Sequence, residues 1–308
     1  MMLAPKSEPA AERFHSDLIQ SAADLAKRAS IETSTRNLAE IDACSSLLAR
    51  GTDVYIAWVP GSPYRHIVGV AKRLRQAGMN PVPHIAARQL GQRRVAADFL
   101  AGLRDEAQVT RALLIGGDSD RPAGVYESSA ALLETGLLQQ HGISSVGIAG
   151  YPEGHPRISD GALMAALDRK ISYAAMQGLN LFLVTQFCFE GPPILEWLRR
   201  LRGRGTVLPV RVGVAGPATI RALLNYGLRC GIGNSMRALG SQAISLTRLL
   251  AQQGPEAVVG HIAREAAELN VTGLHLFPFG GFARSAQWID NVAGGGIRFA
   301  ESDSDSGI

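Results

Sequence analysis

Carboxylate, imidazole and phenol side chains follow one short apolar run of this chain. The run at residues 145–149 stops at Gly150 and leads into Tyr151, Glu153 and His155. A buried strand of small apolar residues carries no polar side chains of its own, so any chemistry must lie at its carboxyl end. The three side chains can exchange protons and form hydrogen bonds, which indicates a polar site in the loop after the strand.

Two further titratable residues lie within apolar runs. Glu32 follows Ile31 in the first run, where it is either an acid/base whose pKa is raised by desolvation or an ordinary surface glutamate. His84 lies inside the run at residues 81–86, where it is either a hydrogen-bonded core residue or a ligand. Residue type and position leave both alternatives open.

A glycine pair follows the run at residues 111–115. Gly116 and Gly117 precede Asp118, and glycines at such a place let the backbone approach a ligand closely and present its N–H groups. The same residues are also typical of a plain turn capped by aspartate.

The elements that must position these side chains alternate regularly between strand and helix. Segments with apolar residues at helical spacing separate the apolar runs. The eight runs lie at residues 30–33, 53–58, 81–86, 111–115, 145–149, 181–185, 209–214 and 272–277. Eight such units in about 250 residues predict an α/β fold, a (β/α)8 TIM barrel with an extra N-terminal helix. An open doubly wound sheet is the rival, but the chain lacks the glycine-rich phosphate loops of such sheets.

Composition predicts one catalytic domain. The chain has 308 residues, of which 46% are hydrophobic and 19% charged, and no linker interrupts its middle. We expect an N-terminal helical extension at residues 1–29, the barrel at 30–299 and a disordered acidic tail at 300–308. The net charge of +4 is spread along helices, without the basic and aromatic stripe of a nucleic-acid-binding surface.

The chain also shows features of a cytoplasmic protein. Its three cysteines form no CxxC pair, which fits a reducing compartment. The first residues do not resemble a signal peptide, and no apolar run reaches the length of a membrane span. We therefore expect a cytoplasmic location with no membrane and no nucleic acid as partners. The sequence leaves the oligomeric state open, a homo-oligomer included.

Two motifs carry a resemblance to a known family. Residues 150–156 read GYPEGHP, and residues 185–189 read TQFCF. Their order and spacing resemble the methylenetetrahydrofolate reductase family, flavin-dependent (β/α)8 barrels of one-carbon metabolism and methionine biosynthesis. The resemblance extends over about residues 30–279, and it also accounts for Glu32, His84 and the Gly-Asp pair.

The resemblance implies an oxidoreductase acting on CH–NH donors. Members of the family bind FAD and interconvert 5,10-methylenetetrahydrofolate and 5-methyltetrahydrofolate by hydride transfer through the flavin. The resemblance implies that Glu32 is the general acid/base at a folate nitrogen, that Asp118 lies close to flavin and pterin, and that Gln186 orients the substrate. Substrate contacts are expected from Glu32, Asp118, Gln186, Ile220 and Phe279.

The resemblance also implies a set of flavin contacts and no metal. A pyrophosphate needs nearby cations, and an isoalloxazine ring needs a flat apolar slot with a few fixed donors. The expected FAD-binding residues are His84, Ile115, Gly117, Asp118, Tyr126, Ala149, Tyr151, His155, Arg169 and Lys170.

Four positions depart from the family pattern. Gly116 stands where the family usually has arginine, and Ala57 where it has threonine. The loop at residues 216–220 lacks the usual phenylalanine, and residues 279–281 read FGG in place of a Leu-Asn-Arg pattern. We therefore expect folate chemistry with weak or absent use of NAD(P)H, favouring oxidation of methyltetrahydrofolate.

Other functions stay open at this point. A metal-dependent barrel enzyme could use Glu32, His84, Asp118 and His155 as ligands, although the sequence has no HExxH signature. A pterin-binding barrel methyltransferase without flavin, or a folate-binding protein without catalysis, would use the same mouth of the barrel.

Overall fold

Eight parallel strands close into a barrel in the computed structural model, which describes residues 10–36, 38–59, 61–219, 223 and 254–299. Each strand pairs with the next one along the chain, and β8 pairs with β1 through Ser30 and His275. The strands are β1 Ser30–Ser34, β2 Asp53–Ala57, β3 Asn80–Ala86, β4 Arg111–Ile115, β5 Ser145–Gly150, β6 Asn180–Thr185, β7 Val210–Ala215 and β8 Val271–Phe277. The predicted (β/α)8 barrel is confirmed.

Helices connect the strands and form the outer layer. The described helices are α1 Ala10–Lys27, α2 Leu38–Leu47, α3 Tyr64–Gln76, α4 Arg93–Ala107, α5 Ser129–Leu133, α6 Leu137–Gln140, α7 Asp160–Gln177, α8 Gly191–Gly203, α9 Glu256–Glu265 and α10 Phe282–Ala293. A short 3-10 turn, Ala87–Gln89, follows β3.

The extra N-terminal helix packs on the side of the barrel. α1 contacts α9, α10 and β8. The Ser21 hydroxyl donates to the carbonyl oxygen of Ala263 over 2.7 Å, and Leu18, Ala22 and Leu25 are buried. The predicted N-terminal helix is therefore present, and it lies on the side of the barrel.

Side chains alternate along each strand between two apolar layers. Outward residues such as Ile31, Val54 and Ile56 belong to the large core beneath the helices. Inward residues form a smaller, separate cluster of Tyr55, Val82, Leu113, Phe182 and Val184, with Ile115 packed against it. Both faces of every strand are thus covered, which is why the strands read as nearly continuous apolar runs.

An ionic floor, formed by Asp53, Arg111 and Arg211, closes the barrel near the amino ends of its strands. The carboxylate of Asp53 accepts hydrogen bonds from Arg111 over 2.5 Å and from Arg211 over 3.0 Å. Arg211 also donates to the carbonyl oxygen of Arg28 over 2.7 Å, and the Arg111 guanidinium lies 5.7 Å from the centre of the Phe182 ring. Access to the interior is therefore left to the carboxyl ends, where barrel enzymes have their sites.

Two inward glycines make room for aromatic rings. A Cβ at Gly147 would lie 2.8 Å from the Phe182 ring, and one at Gly213 would lie 2.9 Å from Phe277 and 2.3 Å from the Thr185 carbonyl oxygen. Side chains at these positions would displace a ring or a neighbouring strand, so glycine is required by close approach.

Candidate active site

Glu32 lies inside the barrel, above the ionic floor. Its strand neighbour in register is Tyr55, and His84 and His275 approach from β3 and β8. The side chain of Glu32 is 20% exposed, whereas Tyr55 and His275 are completely buried. Since the level below is closed, this exposed fraction is reached from the carboxyl mouth.

One carboxylate oxygen faces both imidazoles. Oε2 of Glu32 lies 3.3 Å from Nε2 of His84 and 3.7 Å from Nε2 of His275. Both nitrogens are buried, and within the described part of the chain neither has an aligned hydrogen-bond partner. The three groups are therefore close enough to influence each other's charge without forming a conventional ion pair.

Burial shifts all three groups toward their neutral forms. Desolvation raises the pKa of Glu32, and proximity to His84 opposes this only in part. Burial likewise lowers the pKa of His84, and it lowers that of His275 to about 3 with help from Arg211. A neutral carboxyl group that solvent can reach is a suitable general acid, so one of the two interpretations of Glu32 gains physical support.

Asp118, Tyr151 and His155 meet at the mouth of the barrel. The rings of Tyr151 and His155 lie 5.0 Å apart and nearly perpendicular. Burial raises the pKa of Tyr151, and the Asp118 charge raises it further. Burial and Arg157 lower the pKa of His155, with Asp118 acting against them. Both rings thus lie within electrostatic range of the exposed Asp118 carboxylate.

The turn before Asp118 depends on glycine. Gly117 has φ of 92°, a conformation that side-chain-bearing residues rarely adopt, and a Cβ there would lie 3.2 Å from that of Ala86. The Gly116 carbonyl oxygen accepts the Arg88 backbone N–H over 2.9 Å. The loops after β3 and β4 are therefore joined at this point.

Gln186 follows β6 and is half-buried. Its backbone N–H donates to the Gly150 carbonyl oxygen over 2.8 Å, and its Oε1 accepts the N–H of Phe187 over 3.1 Å. With the side-chain oxygen engaged, the amide NH2 is the part of Gln186 that can donate to a ligand.

Four phenylalanines form an aromatic wall beside Gln186. Phe187 is buried and contacts Phe189, Phe277 and Phe279 at ring distances of 5.6, 5.4 and 4.7 Å. Phe277 and Phe279 are stacked, 5.7 Å apart and inclined by 19°. Of this wall, sequence reasoning had named only Phe279 as a site residue. The aromatic residues at both strand ends were the available signal.

Three further residues expected to contact FAD, Ile115, Ala149 and Tyr126, do not share one environment. Ile115 packs against the inner cluster, and Ala149 is a small residue at the end of β5. Tyr126 is buried among outer core residues, and no described residue forms a hydrogen bond with its hydroxyl. Ile220, expected at the substrate, lies outside the described residues.

The two expected phosphate ligands on α7 differ. Arg169 is bound through two nitrogens by the Glu134 carboxylate. Lys170 is half-buried, and burial lowers its pKa to about 8. Among the described residues, Lys170 has no carboxylate partner, which makes it the better placed of the two to receive an anion.

Sequence reasoning missed Tyr55, His275 and Ser30. The Tyr55 ring lies 4.4 Å from that of His275, and the Ser30 hydroxyl lies 3.0 Å from His275 Nδ1. A histidine alternating with leucines in the last strand was the available signal, but only barrel closure identifies what it faces.

Comparisons with known proteins do not identify a family. No family model matches the chain. A dihydropteroate synthase (FolP) from Thermus thermophilus is 17% identical with a TM-score of 0.49, over 85% of this chain and 92% of that chain. A conserved Enterococcus faecalis protein of unknown function is 11% identical with a TM-score of 0.37, over 62% of this chain and 48% of that one. Similarity at this level does not bear on what the barrel binds.

The described residues contain neither a cluster of metal-ligating side chains nor a helix that could span a membrane. No group of three or more His, Cys, Asp and Glu side chains among them is arranged to hold a metal ion, so Glu32, His84, Asp118 and His155 form no such set. Within the same residues, every helix is too short or too polar to cross a membrane.

Proposed function

We propose that this protein is a flavin-dependent oxidoreductase that interconverts 5,10-methylenetetrahydrofolate and 5-methyltetrahydrofolate. The observation that carries the proposal is the Glu32 carboxyl group, desolvated, reachable from the mouth and close to two imidazoles held neutral. The reaction requires a proton at a folate nitrogen and a hydride at the neighbouring carbon. A carboxyl group whose pKa is raised by burial stays protonated at a higher pH than usual, so it can supply this proton.

Glu32 acts in both directions. In reduction it gives its proton to the folate nitrogen, and the bond from that nitrogen to the methylene carbon breaks, which leaves a carbon that accepts hydride. In oxidation that bond forms again, and the carboxylate takes the proton back. The hydride and the proton therefore move at separate atoms.

The mouth residues orient the pterin. Gln186 offers its amide NH2 to the ring, and the exposed Asp118 carboxylate can accept from ring N–H groups. The half-buried rings of Phe277 and Phe279 offer apolar faces on which a flat heterocycle can stack. This division between polar edge and aromatic face suits a substrate that is planar and rich in nitrogen.

The described residues fit FAD in part. The small side chains of Ala86 and Ala149, with Gly117, leave space at the ends of three neighbouring strands, and Tyr151 and His155 border it. Lys170 supplies a cation without a carboxylate partner among the described residues, whereas the Arg169 guanidinium is already held by Glu134. When bound, FAD supplies the hydride acceptor and donor.

Weak use of NAD(P)H is the second part of the proposal. Gly116 and Ala57 offer no side-chain donor, and strand eight ends in phenylalanine and glycine where the family pattern has arginine. A nicotinamide dinucleotide carries phosphates that require cations or N–H donors. The aromatic wall offers a face for a ring but no charge for a phosphate, so we propose oxidation of methyltetrahydrofolate as the favoured direction.

Anaerobic absorbance spectroscopy tests the proposal. Purified protein is mixed with FAD, desalted and then given 5-methyltetrahydrofolate or, separately, NADH. We expect a retained flavin band that the folate bleaches quickly and NADH bleaches slowly or not at all. Folate binding without retained flavin would instead favour the methyltransferase or the folate-binding protein, and rapid bleaching by NADH would refute the weak use of NAD(P)H.

A further inference from the structure

The neighbours of His275 favour one tautomer of its ring. The Ser30 hydroxyl lies 3.3 Å from the Leu274 carbonyl oxygen, to which it can donate, and 3.0 Å from His275 Nδ1. A hydroxyl has one proton, and a carbonyl oxygen can only accept. With that proton directed to Leu274, Ser30 accepts from Nδ1–H, so the other ring nitrogen, Nε2, carries the lone pair.

This lone pair faces the carboxyl group of Glu32. Nε2 of His275 lies 3.7 Å from Oε2 and has no hydrogen-bond partner among the described residues. A carboxylate at that oxygen would meet a second acceptor, which is repulsive. A protonated carboxyl could donate to it. The pair is therefore favourable in one protonation state of Glu32 and unfavourable in the other.

The remaining neighbours do not remove this preference. His84 is the nearest group from β3 and Tyr55 from β2, and burial favours the neutral form of both. Asp53, Arg111 and Arg211 form the floor, whose net charge of +1 acts on His275 and Tyr55, whereas the pKa of Glu32 responds to burial and to His84. At the level of Glu32, strands β5 and β6 contribute Gly147 and Phe182, which do not titrate.

We propose that His275, held by Ser30 in the tautomer with Nδ1 protonated, is a positioning residue that keeps the Glu32 carboxyl group protonated for its task. The use of this proton in turnover rests on the proposed function. The tautomer and the protonation state of the unliganded protein do not.

Direct titration of Glu32 tests the proposal without substrate or flavin. The full chain is labelled with ¹³C at the glutamate side-chain carboxyl carbon, and E32Q assigns the resonance by its disappearance. In the wild type we expect a midpoint above the ordinary value of 4.5. In S30A the ring can take the other tautomer and donate to the carboxylate, so the midpoint should move by about one pH unit toward acid.

H275Q is a second variant, which replaces the imidazole itself and does not depend on the Ser30 hydroxyl. Its amide NH2 can turn toward the ionised carboxylate, so we again expect a shift of about one pH unit toward acid. H141Q is the matched control, because His141 is a partly buried histidine on the outer layer and its replacement should leave the Glu32 midpoint unchanged.

The outcomes separate the two proposals. Midpoints that stay in place or move toward alkaline pH in both S30A and H275Q would overturn the role of His275, as would an equal shift in H141Q. If the midpoints shift as expected and 5-methyltetrahydrofolate still fails to bleach the flavin, the proposed function fails and the role of His275 stands. Where turnover is present, its pH profile should move in the same direction as the midpoint.

Discussion

Glu32 and His84 face each other across the barrel interior, with Oε2 and Nε2 3.3 Å apart. Burial raises the pKa of the carboxyl and lowers that of the imidazole, so their titration ranges approach each other. The pair is therefore poised to hold a proton that can be passed on, in contrast to a surface ion pair, in which both groups stay charged.

Replacing Glu32 should stop chemistry without preventing cofactor binding. We expect 5-methyltetrahydrofolate to bleach the flavin about 10²–10⁴-fold more slowly in E32Q than in the wild type, because the amide cannot take up the proton. FAD affinity should stay within about twofold, because Glu32 lies below the level of the mouth residues. Stopped-flow traces and a FAD titration measure the two quantities.

The control for that variant is E196Q, which alters an exposed glutamate on α8. It should behave as the wild type in both assays. An E32Q protein that turns over at the wild-type rate would contradict the acid/base role.

His275 should make the protein sensitive to acid. Its pKa falls from 6.5 to about 3 on burial, so between these values the unfolded chain takes up a proton that the native protein excludes. The stability that neutral His275 permits is therefore fully present above the pKa of His275 in the unfolded chain. It is lost as the pH falls toward the pKa of His275 in the folded protein. When the pH falls from about 6.5 to about 4.5, the titration of His275 should lower the unfolding free energy of the wild type by about 2–3 kcal/mol.

Urea unfolding of wild type and H275Q at both pH values measures this contribution. The variant loses packing at either pH, but its stability should fall less between the two than that of the wild type. Equal losses in the two proteins would show that His275 does not titrate as its burial requires.

Lys170 and Arg169 should differ in their effect on FAD. Lys170 is half-buried without a carboxylate partner among the described residues, and Arg169 is held by Glu134. Removing the unpaired cation should weaken FAD binding about tenfold in K170M, and R169M should change it by less than about threefold. Fluorescence titration with FAD measures both constants, and a larger loss in R169M would show that Glu134 releases the arginine to the ligand.

The ionic floor should tolerate little change at Asp53. D53N keeps the size of the side chain and removes the charge between Arg111 and Arg211, which leaves two guanidinium groups facing each other. We expect a loss of about 2–3 kcal/mol in unfolding free energy, at the low end for a broken buried pair because Arg111 is 40% exposed. Urea denaturation measures it.

D98N is the matched control for the floor. Asp98 lies 3.9 Å from Arg94 at the surface, where both side chains are well exposed. A loss of no more than about 0.5 kcal/mol is expected there. Comparable losses in D53N and D98N would mean that the floor contributes no more than a surface pair.

The sequence by itself determined the barrel and the strand ends that carry chemistry. Apolar runs alternating with helical spacing allow few arrangements, and in a parallel barrel the residues at the carboxyl ends of the strands must meet. Glu32, Asp118 and Tyr151 could be named for this reason, because their positions relative to the strand ends are local properties of the chain, whereas Gln186 was named through the resemblance alone. The roles given to them came from the resemblance and stay predictions.

Only the tertiary structure decided what those residues face. Ser30 and His275 are 245 positions apart and become neighbours because β8 closes on β1, a contact that no local pattern contains. Arg169 is paired by Glu134 from outside its own helix, which depends on how separate segments pack. The desolvation that shifts Glu32, His84 and His275 depends on the ionic floor below and the open mouth above. Burial and charge are properties of the enclosed space, and that space exists only when all eight strands have come together.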